Sequence, residues 1–461
     1  LIPRSLTPKD KFMAFGVVAA AGYQLYLVGG SVRDAFLGRT EDVDFDFATD
    51  ARPDDIQEIL EGWADSVYTV GKAFGTVGAI KNGRNVEITT FRKEIYRDDS
   101  RKPHVEFSDD IEVDLSRRDF TVNAMAISFP DVTPVDPYGG AADLAARVLR
   151  TPLEPELSFS DDPLRMLRLF RFQATLGFEP DRKAFEAVKD MAPRLEIVSA
   201  ERIRDEFSEL ITAPDPGPAL EGLIESGLAD RFIPELSGLA MEQDPVHRHK
   251  DVLAHTIAVV RKTSPDLVLR LAALFHDIGK PGPREFGPRG VTFHHHEVVG
   301  ARITRKRLRE LRYPRQVVED VSKLVFLHLR PHTLKMGWTD SAVRRYVRDA
   351  GHLLDKLNEL VRCDVTTANE KRARAIQRQI DELEQRIEKL KEQEELAKLR
   401  PPINGRQVMA YLGIEPGPMV GEIMDMLLER RIEEGPYSEE EAYAMVRRFA
   451  LDRGLPDPGE P

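Results

Sequence analysis

The sequence is poor in cysteine, with a single one, Cys363, among its 461 residues. One cysteine excludes a disulfide within the chain and fits a reducing compartment. The sequence also lacks any run of about 18 apolar residues, which a membrane-spanning helix would need. No signal-peptide pattern is visible in it. We therefore expect a cytoplasmic protein that does not enter a membrane, with Cys363 as a small buried residue.

An excess of positive charge is also absent, because 78 acidic residues outnumber 66 basic ones and the net charge is −12. This balance argues against a protein whose whole surface coats nucleic acid. A local basic surface is still compatible with it, since residues 301–330 carry nine Lys/Arg against three acids. Two interpretations of this segment stay open, a solvated helix face and a surface that contacts a phosphate backbone.

The length and the composition, 41% hydrophobic and 31% charged, are those of a globular protein with several domains. Strand-like and helix-like patterns alternate up to about residue 150, and helical patterns dominate after it. We therefore predict the α+β class. The predicted boundaries give an α/β domain over residues 1–150, followed by helical regions over 151–240, 241–370 and 371–461.

Two glycines follow the first buried strand, which residues 25–28 are expected to form. Glycine in this place lets the backbone approach a ligand and point its N–H groups at it, so Gly29 and Gly30 are candidate binding residues. Ser31 can cap the next helix, and Arg33 lies in its first turn. A helix N-terminus with an arginine is predicted to bind an anion.

An alternating strand follows that helix, with Asp42, Asp44 and Asp46 on one face and apolar residues on the other. A face of carboxylates is costly unless water or a cation neutralises it. Next to a phosphate-binding turn, it suggests Mg²⁺ held between carboxylates and substrate phosphates. An exposed acidic edge strand is the simpler interpretation. Glu87, on a later strand, is either a third carboxylate of this site or an ordinary solvent-side residue.

A third group of polar residues lies on a helix that begins near residue 160. Arg165, Arg168 and Arg171 recur every three residues and share a face with Asp162. A solvated basic face would explain this pattern. Alternatively, arginines beside an acid could present a fixed hydrogen-bonding edge to a flat ligand such as a nucleobase.

Several motifs together resemble one family. They are Leu27-Val-Gly-Gly-Ser-Val-Arg-Asp-Ala, Asp44-Phe-Asp46, Arg117-Arg-Asp-Phe-Thr-Val-Asn-Ala124, Asp136-Pro-Tyr-Gly-Gly and Asp161-Asp-Pro-Leu-Arg165. In this order, over residues 25–210, they resemble the class II tRNA nucleotidyltransferases, which comprise CCA-adding enzymes and bacterial poly(A) polymerases. The resemblance implies an α/β nucleotidyltransferase head of the polymerase-beta type, followed by an all-helical neck, body and tail.

The resemblance also implies roles for single residues in catalysis and triphosphate binding. Asp44 and Asp46 would hold two Mg²⁺ ions, and Glu87 would complete the set. Gly30, beside Gly29, and Arg33 would grip the incoming triphosphate. The two-metal chemistry would join the 3′ hydroxyl of a tRNA to the α-phosphate and release pyrophosphate.

Further residues would form the nucleotide pocket. Arg118 and Asp119 would contact phosphate and support the site, and Asn123 would reach the ribose. Asp162 and Arg165 would hydrogen-bond the Watson–Crick edge of C or A, with Arg168 and Arg171 completing the pocket. Asp161 stands where the family usually has glutamate, so no role is carried over to it.

A second set of histidines and acids resembles the HD domain. In that family such a set binds a divalent metal. The matching residues are His255, His276, Asp277 and Asp364, and His296 and His328 match the extra histidines of versions that hold a second metal. These ligands suit divalent transition metals. The implied activity is phosphohydrolysis of nucleotides or of a 2′,3′-cyclic phosphate, and retention of the ligands without turnover is the alternative.

The leading prediction is addition of CCA to the 3′ end of tRNA from CTP and ATP, with protein side chains selecting the base. The alternatives are poly(A) polymerase, an enzyme that adds only part of CCA, and an HD phosphohydrolase whose head domain binds RNA. Residues 96–107 match the flexible loop associated with the switch from C to A addition, which favours full CCA. A monomer or a homodimer is expected.

A coiled-coil-like seam lies in residues 371–399. Apolar residues alternate there by four and three; they are Ile376, Ile380, Leu383, Ile387 and Leu390. An antiparallel helix hairpin and a dimer contact would each explain the seam.

Overall fold

The computed structural model describes residues 13–39, 45–95, 104–240, 251–281, 285–287, 290–292, 295–333, 339–365, 370–394 and 400–461. The chain divides into two compact units. Unit 1 comprises Leu1–Met241 and Arg307–Pro314, and unit 2 comprises Glu242–Lys306 and Arg315–Pro461. Strands are concentrated in the N-terminal part of unit 1, and helices form most of the rest, so the predicted α+β class is confirmed.

The N-terminal part of unit 1 alternates strands with short helices. The strands are β1 (Leu25–Val28), β2 (Phe45–Thr49), β3 (Ser66–Tyr68), β4 (Thr76–Lys81), β5 (Arg84–Thr90), β6 (Arg92–Ile95), β7 (His104–Phe107), β8 (Ala126–Phe129) and β9 (Thr133–Val135). The helices are α1 (Met13–Ala20), α2 (Gly30–Phe36), α3 (Pro53–Glu61), α4 (Ile111–Ser116) and α5 (Gly140–Ala146). Seven of the described strands form one sheet in the order β3-β4-β5-β2-β1-β8-β9, while β6 and β7 pair separately.

The two faces of this sheet follow from the period of two along each strand. One face is mostly apolar, and α1 and α3 pack on it. Its buried residues, aligned across four strands, are Leu27, Phe47, Ile88 and Val77. The other face carries Val28 and Ala48, which pack with Phe91 and with Leu115 of α4. Only β2 and β5 run parallel among the described neighbours of this sheet, which brings the starts of these two strands together.

Helices follow in the rest of unit 1. A short strand pair, β10 (Val148–Leu149) with β11 (Glu179–Pro180), accompanies α6 (Pro155–Asp161), α7 (Leu164–Leu176), α8 (Arg182–Met191), α9 (Ala200–Ile211) and α10 (Gly217–Glu225). α7 packs against both α9 and α10. Leu167 and Phe170 are completely buried on it. The opposite face of α7 is thus left for the arginines.

Unit 2 is mostly helical. Its elements are α11 (Val252–Lys262), α12 (Leu267–Phe275), β12 (Glu285–Gly287), β13 (Gly290–Thr292), α13 (His296–Glu310), α14 (Arg315–Leu327), α15 (Arg330–Thr333), α16 (Asp340–Ala350), α17 (Leu354–Cys363), α18 (Glu370–Glu394), α19 (Gly405–Leu412), α20 (Pro418–Glu434) and α21 (Glu439–Asp452), of which α13 runs on into unit 1. α12 packs against α11, α14 and α17. The last three helices enclose a core of their own around Val408, Ile423 and Val446.

The coiled-coil-like seam lies on α18, and its four described core residues are at most 4% exposed. They are Ile380, Leu383, Ile387 and Leu390. α16 and α17 of the same unit pack against this helix. Arg362 of α17 also pairs with Asp381 of α18 at 2.8 Å. The seam is therefore covered within the chain, which favours the helix-hairpin interpretation over a dimer contact.

The structure bears on two expectations, the absence of a membrane-spanning helix and the burial of Cys363. In the described part of the chain, no helix has the length and the apolar character that crossing a bilayer would demand. Cys363 is half-buried rather than fully buried. Burial raises the pKa of its thiol to about 11, so this cysteine is a poor nucleophile at neutral pH.

The packing of α18 gives a prediction about stability. We expect Leu383→Ala to lower the free energy of unfolding by about 2–5 kcal/mol, because a completely covered leucine leaves a cavity. Glu382→Ala, at an exposed neighbouring position, should change it by at most about 0.5 kcal/mol. Urea unfolding followed by circular dichroism at two protein concentrations measures both effects. A wild-type midpoint that rises with protein concentration would contradict a seam covered within one chain.

Candidate functional site

Two carboxylates of the N-terminal sheet, those of Asp46 and Glu87, lie near the end of β1, where the glycine turn begins. Leu27 of β1 pairs with Phe47 of β2, so the end of β1 lies opposite Asp46. Asp46 is also the direct register partner of Glu87 on the parallel strand β5. Neighbouring strands are roughly 4.8 Å apart, so these two carboxylates stand side by side on one face. Asp44, the other predicted metal ligand, lies outside the described residues.

Glu87 is held by a tyrosine that the sequence analysis did not single out. The hydroxyl of Tyr68 on β3 lies 3.2 Å from Glu87 Oε1 and 2.5 Å from Asn85 Oδ1, so its single proton is shared between these two acceptors. The tyrosine ring lies directly over Gly78, where an added Cβ would come within 2.0 Å of Tyr68 Cζ. Glycine at this position therefore makes room for the ring, and the ring brings its hydroxyl to the carboxylate. Glu87 is half-buried.

The glycine turn is tighter than the sequence indicated. Gly29 has a φ of +74°, and an added Cβ would lie 2.6 Å from Arg118 Nη1. A side chain at this position is therefore disfavoured both by backbone strain and by contact with the arginine. α2 begins at Gly30 without a side-chain cap, and Ser31 is buried inside the helix. The expectation that Ser31 caps this helix was wrong, because the chain enters the helix two residues earlier, with Gly29 at the N-cap.

Arg33 of α2 is oriented by two partners. Its Nη1 donates to Asn123 Oδ1 at 2.7 Å, and its Nε and Nη2 both donate to the carboxylate of Asp34 at 2.9 Å. The arginine side chain is only 12% exposed. The predicted triphosphate residue Arg33 and the predicted ribose residue Asn123 are thus in direct contact, although 90 positions separate them.

Asp119 connects these residues to α7. One of its carboxylate oxygens accepts from Asn123 Nδ2 at 2.9 Å and from the backbone N–H of Phe120 at 2.8 Å. The other oxygen accepts from Nε and Nη2 of Arg168 at 2.9 and 2.6 Å. Burial alone would raise the pKa of Asp119, but the charge of Arg168 and the bond from Asn123 lower it to about 2. The carboxylate is therefore charged at neutral pH.

The arginines of α7 do not form a solvated face. Arg168 and Arg171 pair with the same carboxylate, that of Glu206 on α9, at 2.8 and 2.6 Å. Arg165 is 7% exposed and donates to the backbone oxygen and hydroxyl of Ser158 and to the backbone oxygen of Arg117. The solvated interpretation of this face is therefore excluded for all three arginines.

Asp162 lies at the C-terminal end of α6, immediately before α7. Its Oδ1 accepts from the backbone N–H of Leu164 at 3.1 Å, and its Oδ2 accepts from Arg202 Nη2 at 2.8 Å. The structure thus places Asp162 beside the start of the arginine helix, with a basic partner that the sequence analysis did not identify.

Sequence analysis also missed a fully buried carboxylate, that of Asp114 on α4. It accepts from Arg117 Nη2 at 2.8 Å and from Arg118 Nη2 at 3.2 Å, and the two charges keep its pKa below the usual value although burial opposes this. Glu206 has the same function for two arginines of α7. A signal existed for Asp114, because acids three and four residues before arginines pair on a helix. The contacts of Glu206 cross between helices and leave no local pattern.

The histidine set of unit 2 converges as predicted. The ligand atoms of His255, His276 and Asp277 all lie within 4.8 Å of one another, and so do those of Asp277, His296 and His328. Asp277 therefore belongs to both groups, with Oδ2 at 3.2 Å from His276 Nε2 and Oδ1 at 3.5 Å from His296 Nε2.

Asp364, at the end of α17, completes the first of these groups. Its Oδ1 lies 2.9 Å from His255 Nε2 and 3.4 Å from His276 Nε2. Lys280 Nζ lies 2.6 Å from Asp277 Oδ2, so a cation already accompanies the shared aspartate.

The orientation of two buried imidazoles supports a metal site. His276 and His328 each place Nδ1 against a backbone oxygen three residues earlier, at 2.7 and 2.6 Å. This bond assigns the proton to Nδ1 and turns Nε2 into the cluster, as in metal-binding histidines. His328 Nε2 is buried without a hydrogen-bond partner among the described residues. Burial also lowers the pKa of His328 to about 3, so its imidazole is neutral.

The charge balance of the first group fits a cation as well. Burial by itself would lower the pKa of His276, but the carboxylates of Asp277 and Asp364 raise it to about 10. The two carboxylates thus attract positive charge to this point. Imidazole nitrogens and carboxylate oxygens converging there are a donor set that divalent transition metals accept.

Three sequence families match segments of this chain. They are the poly A polymerase head domain over residues 25–150, the probable RNA and SrmB- binding site of polymerase A over residues 177–239, and the HD domain over residues 252–391. The first segment contains the glycine turn and Asn123, and the third contains the histidine cluster, while the arginines of α7 lie between the first and second segments.

Individual relatives carry related names. The chain is 36% identical over 355 residues to an A-adding tRNA nucleotidyltransferase of Deinococcus radiodurans. The aligned region covers 74% of this chain and 80% of that protein. It is 43% identical over 222 residues to a CCA-adding enzyme of Streptococcus gordonii, covering 48% of this chain and 54% of that enzyme. The match thus spans about half the length of the latter.

Solved structures have the same fold. The CCA-adding enzyme of Bacillus stearothermophilus in complex with CTP is 25% identical, with a TM-score of 0.70 over 97% of this chain and 99% of that one. The Thermotoga maritima CCA-adding enzyme complexed with tRNA is 18% identical, with a TM-score of 0.57 over 94% and 93%. At this lower identity the likeness concerns the fold alone.

The buried charge of Asp119 gives a prediction about pH. Its folded-state pKa, about 2, lies below that of an unfolded aspartate, so its charge stabilises the fold above about pH 4 and this contribution declines as the pH falls toward 2. We expect Asp119→Asn to lose about 2 kcal/mol at neutral pH and less at acidic pH.

Urea unfolding between pH 7 and pH 3 measures this loss. Asp131→Asn, at an exposed position, serves as the control and should match the wild type throughout. A stability difference between wild type and Asp119→Asn that stays constant with pH would contradict the assignment.

The histidine cluster gives a prediction about metal content. Removal of a residue that only orients a metal ligand lowers metal affinity about 10–100-fold. Because His276 is predicted to be a ligand itself, we expect His276→Ala to lower the affinity for Mn²⁺ at least about 100-fold. His352→Ala, whose side chain is 63% exposed outside the cluster, should bind like the wild type. Calorimetric titration and elemental analysis test both variants. Unchanged Mn²⁺ binding in His276→Ala would exclude this residue as a ligand.

Proposed function

Because the chain belongs to the family of tRNA nucleotidyltransferases and bacterial poly(A) polymerases, we propose that it adds C, C and A to the 3′ end of tRNA from CTP and ATP. The family predicted from the sequence motifs is thus confirmed, and so is the prediction of a nucleotidyltransferase. The substrates and the site residues assigned below are part of the proposal.

One observation carries the proposal, the continuous polar chain from the glycine turn to α7. Arg33 contacts Asn123, Asn123 contacts Asp119, and Asp119 contacts Arg168. The predicted triphosphate grip and the predicted nucleoside pocket are therefore parts of one structure. A protein that only bound RNA would have no need of a pair of strand carboxylates in the same domain.

The reaction would form a bond between the 3′ oxygen of the tRNA and the α-phosphorus of the nucleotide, and break the bond to the departing pyrophosphate. We assign Mg²⁺ to Asp44, Asp46 and Glu87, since carboxylate oxygens are the ligands that this cation prefers. When bound, Mg²⁺ supplies charge neutralisation for such a transfer. Arg33 and Arg118 add fixed positive charge beside the glycine turn, where the triphosphate binds in this proposal.

Base selection would rest on Asp162 and Arg165. Cytosine and adenine each present an amino donor next to a ring-nitrogen acceptor, so a carboxylate and a guanidinium together match both bases. Uracil and guanine present a carbonyl oxygen in place of that amino group and would be rejected. Arg168 and Arg171 complete this pocket, and Asn123 reaches the ribose.

The chain would divide into a head over residues 1–150, a nucleotide-recognition and RNA-binding neck over 151–240, an HD domain over 241–370 and a tail over 371–461. We place the protein in the cytoplasm, with tRNA as its partner. α13 exposes basic residues that would contact the tRNA backbone; they are Arg302, Arg305, Lys306 and Arg309.

Two further candidates each have an observation in their favour. Addition of A alone is favoured by the Deinococcus radiodurans relative, whose name states that activity and of which this chain covers 80%. Phosphohydrolysis in the HD domain, as a second activity, is favoured by the convergence of His255, His276, Asp277 and Asp364. Poly(A) addition stays an alternative because that activity belongs to the same family.

One assay separates these functions. Protein, Mg²⁺ and labelled CTP or ATP are incubated with tRNAs that end before, within or after CCA. Ordered addition of C, C and A that then stops is the expected result. Incorporation of A only into tRNA that already ends in CC would instead establish an A-adding enzyme, and long A tails would establish a poly(A) polymerase.

The catalytic acids are tested in the same assay. We expect Asp46→Asn to lose more than about 100-fold in incorporation, since a direct metal ligand should matter more than the groups that orient it. Asp54→Asn, an 89% exposed side chain on α3, should keep wild-type activity. Hydrolysis of 2′,3′-cyclic phosphate, where present, should persist in Asp46→Asn. Wild-type incorporation by Asp46→Asn would exclude the proposed metal site.

A further inference from the structure

The side chain of Phe172 lies among three of the arginines assigned to the nucleotide site. The Cζ atoms of Arg33, Arg168 and Arg171 lie 5.3, 5.4 and 4.0 Å from the centre of its ring. Phe172 itself is on α7 and is 5% exposed. Arg33 comes from α2, so the ring is a contact that helices from distant parts of the chain share.

The position of the ring is itself well determined. Phe172 packs edge-to-face against Phe120, with ring centres 5.7 Å apart and planes at 85°. Phe120 is completely buried, and its backbone N–H binds Asp119. The ring is therefore fixed to the segment that carries the buried carboxylate, and it does not depend on a ligand for its orientation.

The arrangement addresses an electrostatic problem. Three guanidinium groups close together repel one another, and their carboxylate partners compensate the charge from outside the cluster. Arg33 pairs with Asp34, while Arg168 and Arg171 share Glu206. Phe172 lies among the guanidinium groups, where the negative face of an aromatic ring attracts cations and a buried ring excludes water.

We propose that Phe172 is a positioning residue that holds Arg33, Arg168 and Arg171 as one nucleotide-binding unit, so that the triphosphate grip and the nucleoside pocket act together. The inference rests on the proposed function and assigns to this site a residue that touches no substrate. A leucine would fill most of the same volume but would offer the arginines no π-electron face. A tyrosine would keep that face.

The experiment measures steady-state incorporation of CTP and ATP into tRNA. We expect Phe172→Leu to raise the KM for each nucleotide about tenfold, since each cation–ring contact contributes modestly. The kcat and the KM for tRNA should stay within about threefold of the wild type. Phe172→Tyr should restore nucleotide KM to within about twofold.

Phe185→Leu is the matched control. Phe185 also packs edge-to-face with a buried phenylalanine, Phe170, and Lys189 Nζ lies 4.8 Å from its ring centre. Among the described residues none of the site arginines lies over its ring, so its replacement should leave every kinetic constant unchanged. Thermal melting verifies that all variants are folded.

Coupling is tested in an Arg33→Lys background. If Phe172 acts through Arg33, the Phe172→Leu effect on nucleotide KM should be clearly smaller there, as expected for residues in one network. Equal effects in both backgrounds, or a folded Phe172→Leu with wild-type KM, would overturn the inference.

Direct binding of CTP and ATP, measured by calorimetry, distinguishes failure of the Phe172 inference from failure of the proposed function. A wild-type protein that neither binds nor incorporates nucleotide would refute the function itself, and the inference with it. A wild-type protein that does both, with Phe172→Leu indistinguishable from it, would refute only the role of Phe172.

Discussion

The buried carboxylate of Asp119 is the interaction on which the nucleotide site depends. It accepts hydrogen bonds from Asn123 and Arg168, which belong to different segments, and its charge is maintained by the arginine although burial opposes it. A charge in such a place is stable only while its partners are present. The segment after α4 and helix α7 are therefore held in one relative position before any ligand arrives.

Three other arginines of the site follow the same rule. Arg33 pairs with Asp34, Arg118 with Asp114 and Arg171 with Glu206. A set of cations that is oriented in advance can bind a polyanion without the cost of ordering long side chains. The acids that pair with these arginines touch no substrate in the proposed mechanism, but they fix the positions of the guanidinium groups.

The histidine cluster of unit 2 is constructed differently. His276 and His328 directly follow the ends of α12 and α14, and backbone oxygens three residues earlier orient them. Such a bond fixes the tautomer of each ring and directs the second nitrogen inward. Asp277 then serves both groups of ligands. Local helix geometry is thus sufficient to orient these imidazoles, whereas the nucleotide site needs contacts between distant segments.

The sequence by itself determined the family, the α+β class, the glycine turn and the histidine set, because each is written in local spacing or in ordered motifs. It placed Asp46 and Glu87 on strands but left open whether they meet. Only the parallel pairing of those strands decided that they do. Glu206, Tyr68 and Phe172 emerged only from the tertiary structure, since the contacts that give them meaning join residues far apart in the chain or depend on burial. Local periodicity records which face a residue occupies, and packing alone decides which partner it finds there.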